Sequence, residues 1–107
     1  MKAIAAPTRR VSRGLKAKAG QVAELLRAIA NDRRLLILCR LVECGEATVG
    51  QLADEVGLSQ SALSQHLARM REEGLVTFRR DAQTLWYRIA DARVEDLLAT
   101  LHRLYCN

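Results

Sequence analysis

The sequence predicts a mainly helical single domain carrying one β-hairpin, in the element order α-α-α-α-β-β-α. Three observations carry that expectation. Apolar residues recur at three- and four-residue steps through most of the chain, the period of helices buried on one face. The period switches to two between residues 76 and 89 only. Residues that start and stop helices fall between these segments where capping requires them. With 107 residues, half of them apolar and 27% charged, the chain can build one core, is too short for two domains, and is far from the composition of disorder.

Each element has a local cause. Leu15, Ala19, Val22, Leu26 and Ile29 form one face of a first helix. Asn31 and Asp32 offer capping oxygens to a second, and its stretch Leu35 to Val42 is apolar nearly all round, which predicts burial on most sides before a stop at Gly45. Thr48 and Gln51 have the spacing of a capping box ahead of Val49, Leu52 and Val56, and Gly57 supplies a left-handed stop. Ser59 caps a fourth helix that runs through Glu73 and closes at Gly74. Val76 and Phe78, then Leu85, Tyr87 and Ile89, alternate with polar neighbours on either side of a connection from Arg80 to Thr84. Asp91 caps a last helix with Val94, Leu97, Leu98, Leu101, Leu104 and Tyr105 on a wide apolar face.

Residues 48 to 72 then read as a helix-turn-helix, and the hairpin after it as a wing. Leu63, Leu67 and Met70 mark the core side of the second helix, while Ser61, Gln65, Ala68 and Glu72 lie opposite and Ser64 flanks them. A short polar face near a helix N-terminus suits the major groove, where Gln pairs with adenine, Ser meets several base edges and the helix end attracts phosphate. Ser59, Gln60, Ser61, Ser64 and Gln65 are the expected DNA-reading residues. Arg79, Arg80 and Gln83 of the wing are expected to reach phosphate or the minor groove, although edge arginines also guard against aggregation. A winged helix used only for protein contacts is the other reading of the same pattern. It would call for exposed aromatic or aliphatic anchors in place of these polar residues.

Charge and composition narrow the partner. The net charge is +5, yet Lys2, Arg9, Arg10, Arg13, Lys16 and Lys18 all precede residue 19 and no acidic residue does. We therefore divide the chain into a flexible basic arm, 1–18, and a DNA-binding and dimerisation domain, 19–107. Such an arm brushes DNA without reading sequence, and its profile is shared by transit peptides. The four aromatics, Phe78, Trp86, Tyr87 and Tyr105, are too few for single-strand stacking platforms, so duplex DNA is the expected polyanion. No apolar run reaches the roughly 18 residues of a membrane span. Three cysteines without a signal peptide point to the cytoplasm. No nucleophile elbow, phosphate loop, zincin helix or dinucleotide fingerprint is present, so neither an enzyme nor a cofactor is expected.

The run Gly57-Leu58-Ser59-Gln60-Ser61-Ala62-Leu63-Ser64-Gln65-His66-Leu67, with Ala30 to Leu35 upstream and Gly74-Leu75-Val76, Arg79-Arg80 and Tyr87 downstream, resembles the ArsR-type winged helix-turn-helix repressors. The likeness covers about residues 20–106. Leu36-Ile37-Leu38-Cys39, Arg80 to Thr84 and Leu104-Tyr105-Cys106 are similar to the thiol-sensing branch of BigR, SqrR and HlyU. That resemblance implies a homodimer that releases operator DNA when a cysteine pair is oxidised, in several members by persulfides. It also implies that Cys39 and Cys106 are the pair.

Taken by itself, Cys39 lies in the most apolar stretch and reads more readily as a small buried hydrophobe. Cys44 is about 140° round the helix from it and reads as a bystander. Metal sensing of zinc, cadmium or arsenite is the family's other mode. No paired-cysteine motif precedes the recognition helix, Glu95, Asp96 and His102 are the only candidates on the last helix, and no metal site is expected. His66 reads as a boundary histidine and His102 as solvated. A His102–Cys106 pair, four residues apart, could at most aid thiol reactivity. The apolar faces of the first and last helices are too wide for so small a body and are expected to form a homodimer interface. The dimer would set two recognition helices about 34 Å apart on an imperfect inverted repeat.

Overall fold

The structure is a computed structural model and describes residues 12–106. Its chain divides into two compact units after Ala30. The first contains helix α1 (Arg13–Ile29), capped by the Ser12 hydroxyl, which accepts from the Leu15 N–H at 3.1 Å. The helix begins inside the stretch assigned to the arm, so Arg13, Lys16 and Lys18 are helical; the rest of that arm, residues 1–11, lies outside the described residues. Leu15, Val22 and Leu26 recur along α1 at seven and four residues and are all exposed.

The second unit holds α2 (Asp32–Cys44), β1 (Ala47–Thr48), α3 (Val49–Val56), α4 (Gln60–Glu72), β2 (Val76–Asp81), β3 (Thr84–Ile89) and α5 (Ala92–Tyr105). This is a winged helix-turn-helix in the expected order of helices and hairpin. The caps act as the sequence predicts. Asn31 accepts from Arg33 and Arg34, Thr48 and Gln51 exchange both capping-box bonds, Ser59 accepts from Ala62, and Asp91 from Arg93. Gly57 adopts φ +72°.

Every helix of this unit gives one stripe to the core: Ile37, Leu38 and Leu41; Leu52, Ala53 and Val56; Leu63, Leu67 and Met70; Val94 and Leu98. Helix α2 departs from expectation here. It is buried on a single face, Leu36 is half exposed, and Leu35, Cys39 and Val42 are intermediate. Polar Arg34, Arg40 and Glu43 interleave with its apolar residues and turn the remaining faces toward side-chain partners.

The sheet also departs from expectation. Its order is β1-β3-β2, all antiparallel. Strand β1 pairs Ala47 with Tyr87 and Thr48 with Trp86, contacts between residues 40 and 38 positions apart that leave no local periodicity. The hairpin connection is shorter than Arg80 to Thr84. Arg80 pairs with Leu85 and Asp81 with Thr84, leaving a turn of Ala82 and Gln83 in which Ala82 takes the left-handed φ of +57°.

The bidentate Arg34–Glu73 pair, at 2.9 and 3.2 Å, fastens the start of α2 to the end of α4. The Arg34 hydrogen bonds hold the Glu73 carboxyl below its usual range. A depressed folded-state pKa contributes stability above the unfolded carboxylate value of about 4.3 and loses it as the pH falls through the folded value. The melting temperature should therefore drop on acidification below about pH 4.5, and Glu73→Gln should flatten that drop modestly, since its carboxylate is 43% exposed and screened. A second expectation concerns the turn of the helix-turn-helix. A Cβ added at Gly57 would meet nothing within 4 Å, so Gly57→Ala costs only the left-handed backbone penalty, about 1 kcal/mol. In thermal melts that is a loss of about 4 °C.

Candidate DNA interface and thiol site

Helix α4 carries the sequence-predicted candidates on its outer side. Ser61, Ser64, Gln65, Ala68 and Glu72 are exposed, and Leu63, Leu67 and Met70 are wholly buried. Its first turn carries no acidic residue and its last turn carries Arg69 and Arg71, so the helix N-terminus is open to phosphate. Two of the sequence candidates have local duties. The Ser59 oxygen accepts the Ala62 N–H at 3.1 Å, leaving its hydroxyl hydrogen to donate outward. Gln60 leans back over α3, its Nε2 3.7 Å from where a Gly50 side chain would begin. Ser61, Ser64 and Gln65 make no such internal contact. His66 is half-buried, as a boundary residue, and lines a shallow surface depression with Ala62, Gln65 and Arg69.

The wing separates its two arginines. Neighbouring residues of a strand point to opposite faces, and the register puts Arg79 beside Trp86 and Arg80 beside Leu85. The Arg79 guanidinium lies over the Trp86 ring at 5.6 Å and makes two hydrogen bonds to Glu46, at 2.8 and 2.9 Å. Those bonds hold the Glu46 carboxyl below its usual range and raise the arginine. Arg80 makes no ion pair among the described residues and stands beside Gln83 of the turn, which shares a second depression with Thr48, Val49, Gly50, Thr84 and Leu85. On the Arg80 face, Phe78 and Tyr87 meet edge to face at 5.3 Å, and Arg71 of α4 sits 4.3 Å over the Phe78 ring. This stack fastens the wing to the reading helix.

The cysteines lie at the other end of the unit, where α2 packs on α5. All three are free thiols. Cys39 is half-buried; Cys44, the last residue of α2, and Cys106, the C-cap of α5, are exposed. Burial pushes the Cys39 thiol up, and the charges of Cys106 and then Glu43 push it further, so Cys106 lies within electrostatic reach of Cys39. His102 is not solvated as expected. Its Nε2 is 2.7 Å from Glu43 Oε2, which turns the imidazole toward α2. Glu43 also receives Arg40 at 3.3 Å, and Arg40 Nε lies 2.7 Å from Glu55 of α3, at ion-pair distance although its N–H is not aimed at the oxygen. His102 and then Arg40 hold the Glu43 carboxyl low.

Sequence reasoning missed Glu43, Glu46, Arg40 and Arg71. For Glu43 a signal existed, because it follows Cys39 by four residues just as Cys106 follows His102. For Glu46 none did.

This geometry is that of a DNA-binding winged helix-turn-helix: a capped polar reading helix held by a short partner helix, with an arginine-bearing wing fastened to its end. The chain belongs to the arsR family of bacterial regulatory proteins, whose profile matches residues 31–77. It is 52% identical over 82 residues to the transcriptional activator HlyU of Vibrio cholerae serotype O1, covering 77% of this chain and 75% of that one. Solved structures agree. Reduced HlyU from Vibrio cholerae superposes with a TM-score of 0.80 at 45% identity, covering 90% of this chain and all of that one. The transcriptional repressor BigR from Xylella fastidiosa gives 0.79 at 36%, covering 91% and 99%. The protein is thus a DNA-binding transcriptional regulator and not an enzyme.

The opposite faces of the wing give an unequal expectation for its arginines. Arg80→Ala should weaken binding to any duplex and reduce the slope of log affinity against log salt by about one. Arg79→Ala should change that slope less, because Glu46 already neutralises it, and Glu46→Gln should raise sequence-blind affinity. Equal slopes for the two arginine variants would sink this assignment.

Proposed function

We propose that this protein is a cytoplasmic homodimeric repressor that leaves its operator when Cys39 and Cys106 are joined through sulfur, with low-molecular-weight persulfides as the oxidant. The observation that carries the reading is the packing of α2 on α5, which brings Glu43, four residues after the free thiol of Cys39, to 2.7 Å from His102, four residues before the free thiol of Cys106. The similar proteins support it: BigR is described as a repressor, and HlyU has a structure described as reduced.

The chemistry balances with a persulfide alone. The exposed Cys106 thiolate attacks the sulfane sulfur of R–S–SH, giving Cys106–S–SH and R–SH. Cys39 then attacks the Cys106 sulfur and expels hydrogen sulfide, forming a disulfide. Two thiols lose one electron each, and the two persulfide sulfurs gain them. A second persulfide consumed in the same way leaves one extra sulfur in the bridge, which spans a wider gap than the Cα separation of about 7 Å that limits a disulfide.

DNA is read by Ser61, Ser64 and Gln65, assisted by Ser59 and Gln60, with Arg80 and Gln83 of the wing on phosphate or the minor groove and Arg79 held in reserve by Glu46. Exposed Leu15, Val22 and Leu26 of α1, and exposed Leu104 and Tyr105 of α5, supply apolar area for the homodimer, which spaces two reading helices for an imperfect inverted repeat. A bridge between α2 and α5 acts on the reading helix through α2, whose Arg40 meets Glu55 on α3. A coupling of about 1 to 3 kcal/mol, 5- to 150-fold in affinity, is sufficient. Zinc, cadmium or arsenite as the signal is the alternative that the zinc arm of the following test addresses.

The test is a DNA-shift assay on reduced protein treated with persulfide, peroxide or zinc, followed by intact mass. Persulfide should release DNA and remove the alkylatable thiols of Cys39 and Cys106 together, and Cys39→Ser with Cys106→Ser should hold DNA throughout. Release by zinc alone, or release of the double variant by persulfide, would falsify the reading.

A further inference from the structure

Glu43 and His102 stand one helical turn from the two sulfurs. Cys39 and Glu43 are four residues apart on α2 and share a helix face, while Cys106 follows His102 by four residues as the C-cap of α5, its N–H bonded to the His102 carbonyl at 2.8 Å. Across the helices His102 Nε2 meets Glu43 Oε2 at 2.7 Å, and the charge of Cys106 is among the causes that push the Cys39 thiol up. The four residues thus place one polar rung, His102–Glu43, four residues from each sulfur in sequence.

The end of α5 needs such a rung. Leu98 is the last fully buried residue of the helix, two turns before Cys106, while Leu104 and Tyr105 are exposed at 63% and 81%. The last backbone bond runs from the Cys106 N–H to the His102 carbonyl at 2.8 Å. Terminal turns fray, and a bridge forms only within a narrow range of Cα separations. Beyond Leu98, the His102–Glu43 contact is the one side-chain hydrogen bond from α5 to another element among the described residues. Glu43 is itself steadied, since its other oxygen accepts from Arg40.

We propose that His102, held by Glu43, is the positioning residue of the thiol switch, keeping the last turn of α5 in register so that Cys106 stays opposite Cys39. The proposal rests on the cysteine pair of the preceding reading and adds the group that aligns it. His102 touches neither the oxidant nor DNA. It raises the fraction of time the second thiol is in reach of the first, so its effect belongs to the closing step of the bridge.

The experiment compares the reduced full chain with His102→Ala and His102→Gln, each treated with glutathione persulfide. Bridge closure is followed by alkylation and intact mass, and the alkylation rates of the separate thiols by iodoacetamide. The alanine variant should close the bridge about threefold more slowly, the scale of a half-exposed ion pair or hydrogen bond. Its alkylation rates, reduced-state DNA affinity and melting temperature should stay as in the parent. Glutamine, whose Nε2 can still reach Glu43, should restore the closing rate. Closure by the alanine variant at the parental rate overturns the proposal, as does a glutamine variant as slow as alanine. Absence of any internal bridge in the unsubstituted chain overturns the cysteine-pair reading and this proposal with it, whereas a parental bridge with unchanged variants overturns this proposal alone.

Discussion

The register of helix α2 is the constraint from which the other contacts of the DNA-binding unit follow. Its Ile37, Leu38 and Leu41 are fully buried, and burying three such side chains contributes several kcal/mol, on the order of 1.5 to 3 each. Once that stripe faces the core, the 3.6-residue period decides where every polar side chain of α2 goes. Arg34 meets Glu73 at the end of α4, Arg40 meets Glu55 on α3, and Glu43 meets His102 on α5. Cys39, one turn before Glu43, is thereby aimed at the same helix as Glu43. A one-residue slip would rotate α2 by about 100° and break all these pairings together.

The same geometry explains why α2 is buried on one face although its sequence predicts burial nearly all round. Counting apolar residues from Leu35 to Val42 gives a hydrophobic cylinder, but Leu36 is half exposed and the arginine within the run pairs with an acid. Local chemistry was legible wherever the cause is local. Thr48 with Gln51, Ser59, Asn31, Asp91 and Gly57 all act within four residues of themselves, and the structure uses each as the sequence suggests. The two-residue strand Ala47–Thr48 exists because β3 passes beside it. The tight turn at Ala82 uses a left-handed alanine, where hairpin turns favour glycine or asparagine. Pairs such as Glu46 with Arg79, or Glu43 with His102, join residues 33 and 59 positions apart. No periodicity marks them in one sequence.

Placement of charge, more than its total, suits this domain to DNA. Of 17 basic residues, 11 lie beyond residue 18, against all 12 acidic ones, so the body has no basic excess. Arg34, Arg40, Arg79 and Arg93 are engaged by carboxylates. Arg69, Arg71, Arg80 and Arg88 make no ion pair among the described residues, and they fall on the end of α4 and on the wing. Arg27, Arg33 and Arg103 are likewise outside the ion pairs of the described residues, so what distinguishes α4 and the wing is that four such arginines lie close along them. The pleat of β2 sharpens this further, because it sends Arg79 to Glu46 and leaves Arg80 on the face that Phe78 shares with α4.

A thiol switch fits this architecture because its two ends differ in strength. The links from α2 to α3 and α5 are half-exposed polar contacts, Arg40 with Glu55 and Glu43 with His102, which solvent screens. Such contacts exchange readily and would not by themselves hold the reading helix in one of two positions. A covalent sulfur bridge between α2 and α5 is different in kind, since it confines their separation and cannot be outbid by water. A tenfold loss of operator affinity requires about 1.4 kcal/mol, well within what a cross-link can impose on contacts this weak. On the proposed reading the buried stripe of α2 is what transmits the cross-link's constraint, because close-packed interiors pass on strain. On the proposed reading, weak polar links leave α2 free to shift and the shared core passes that shift to α3 and α4.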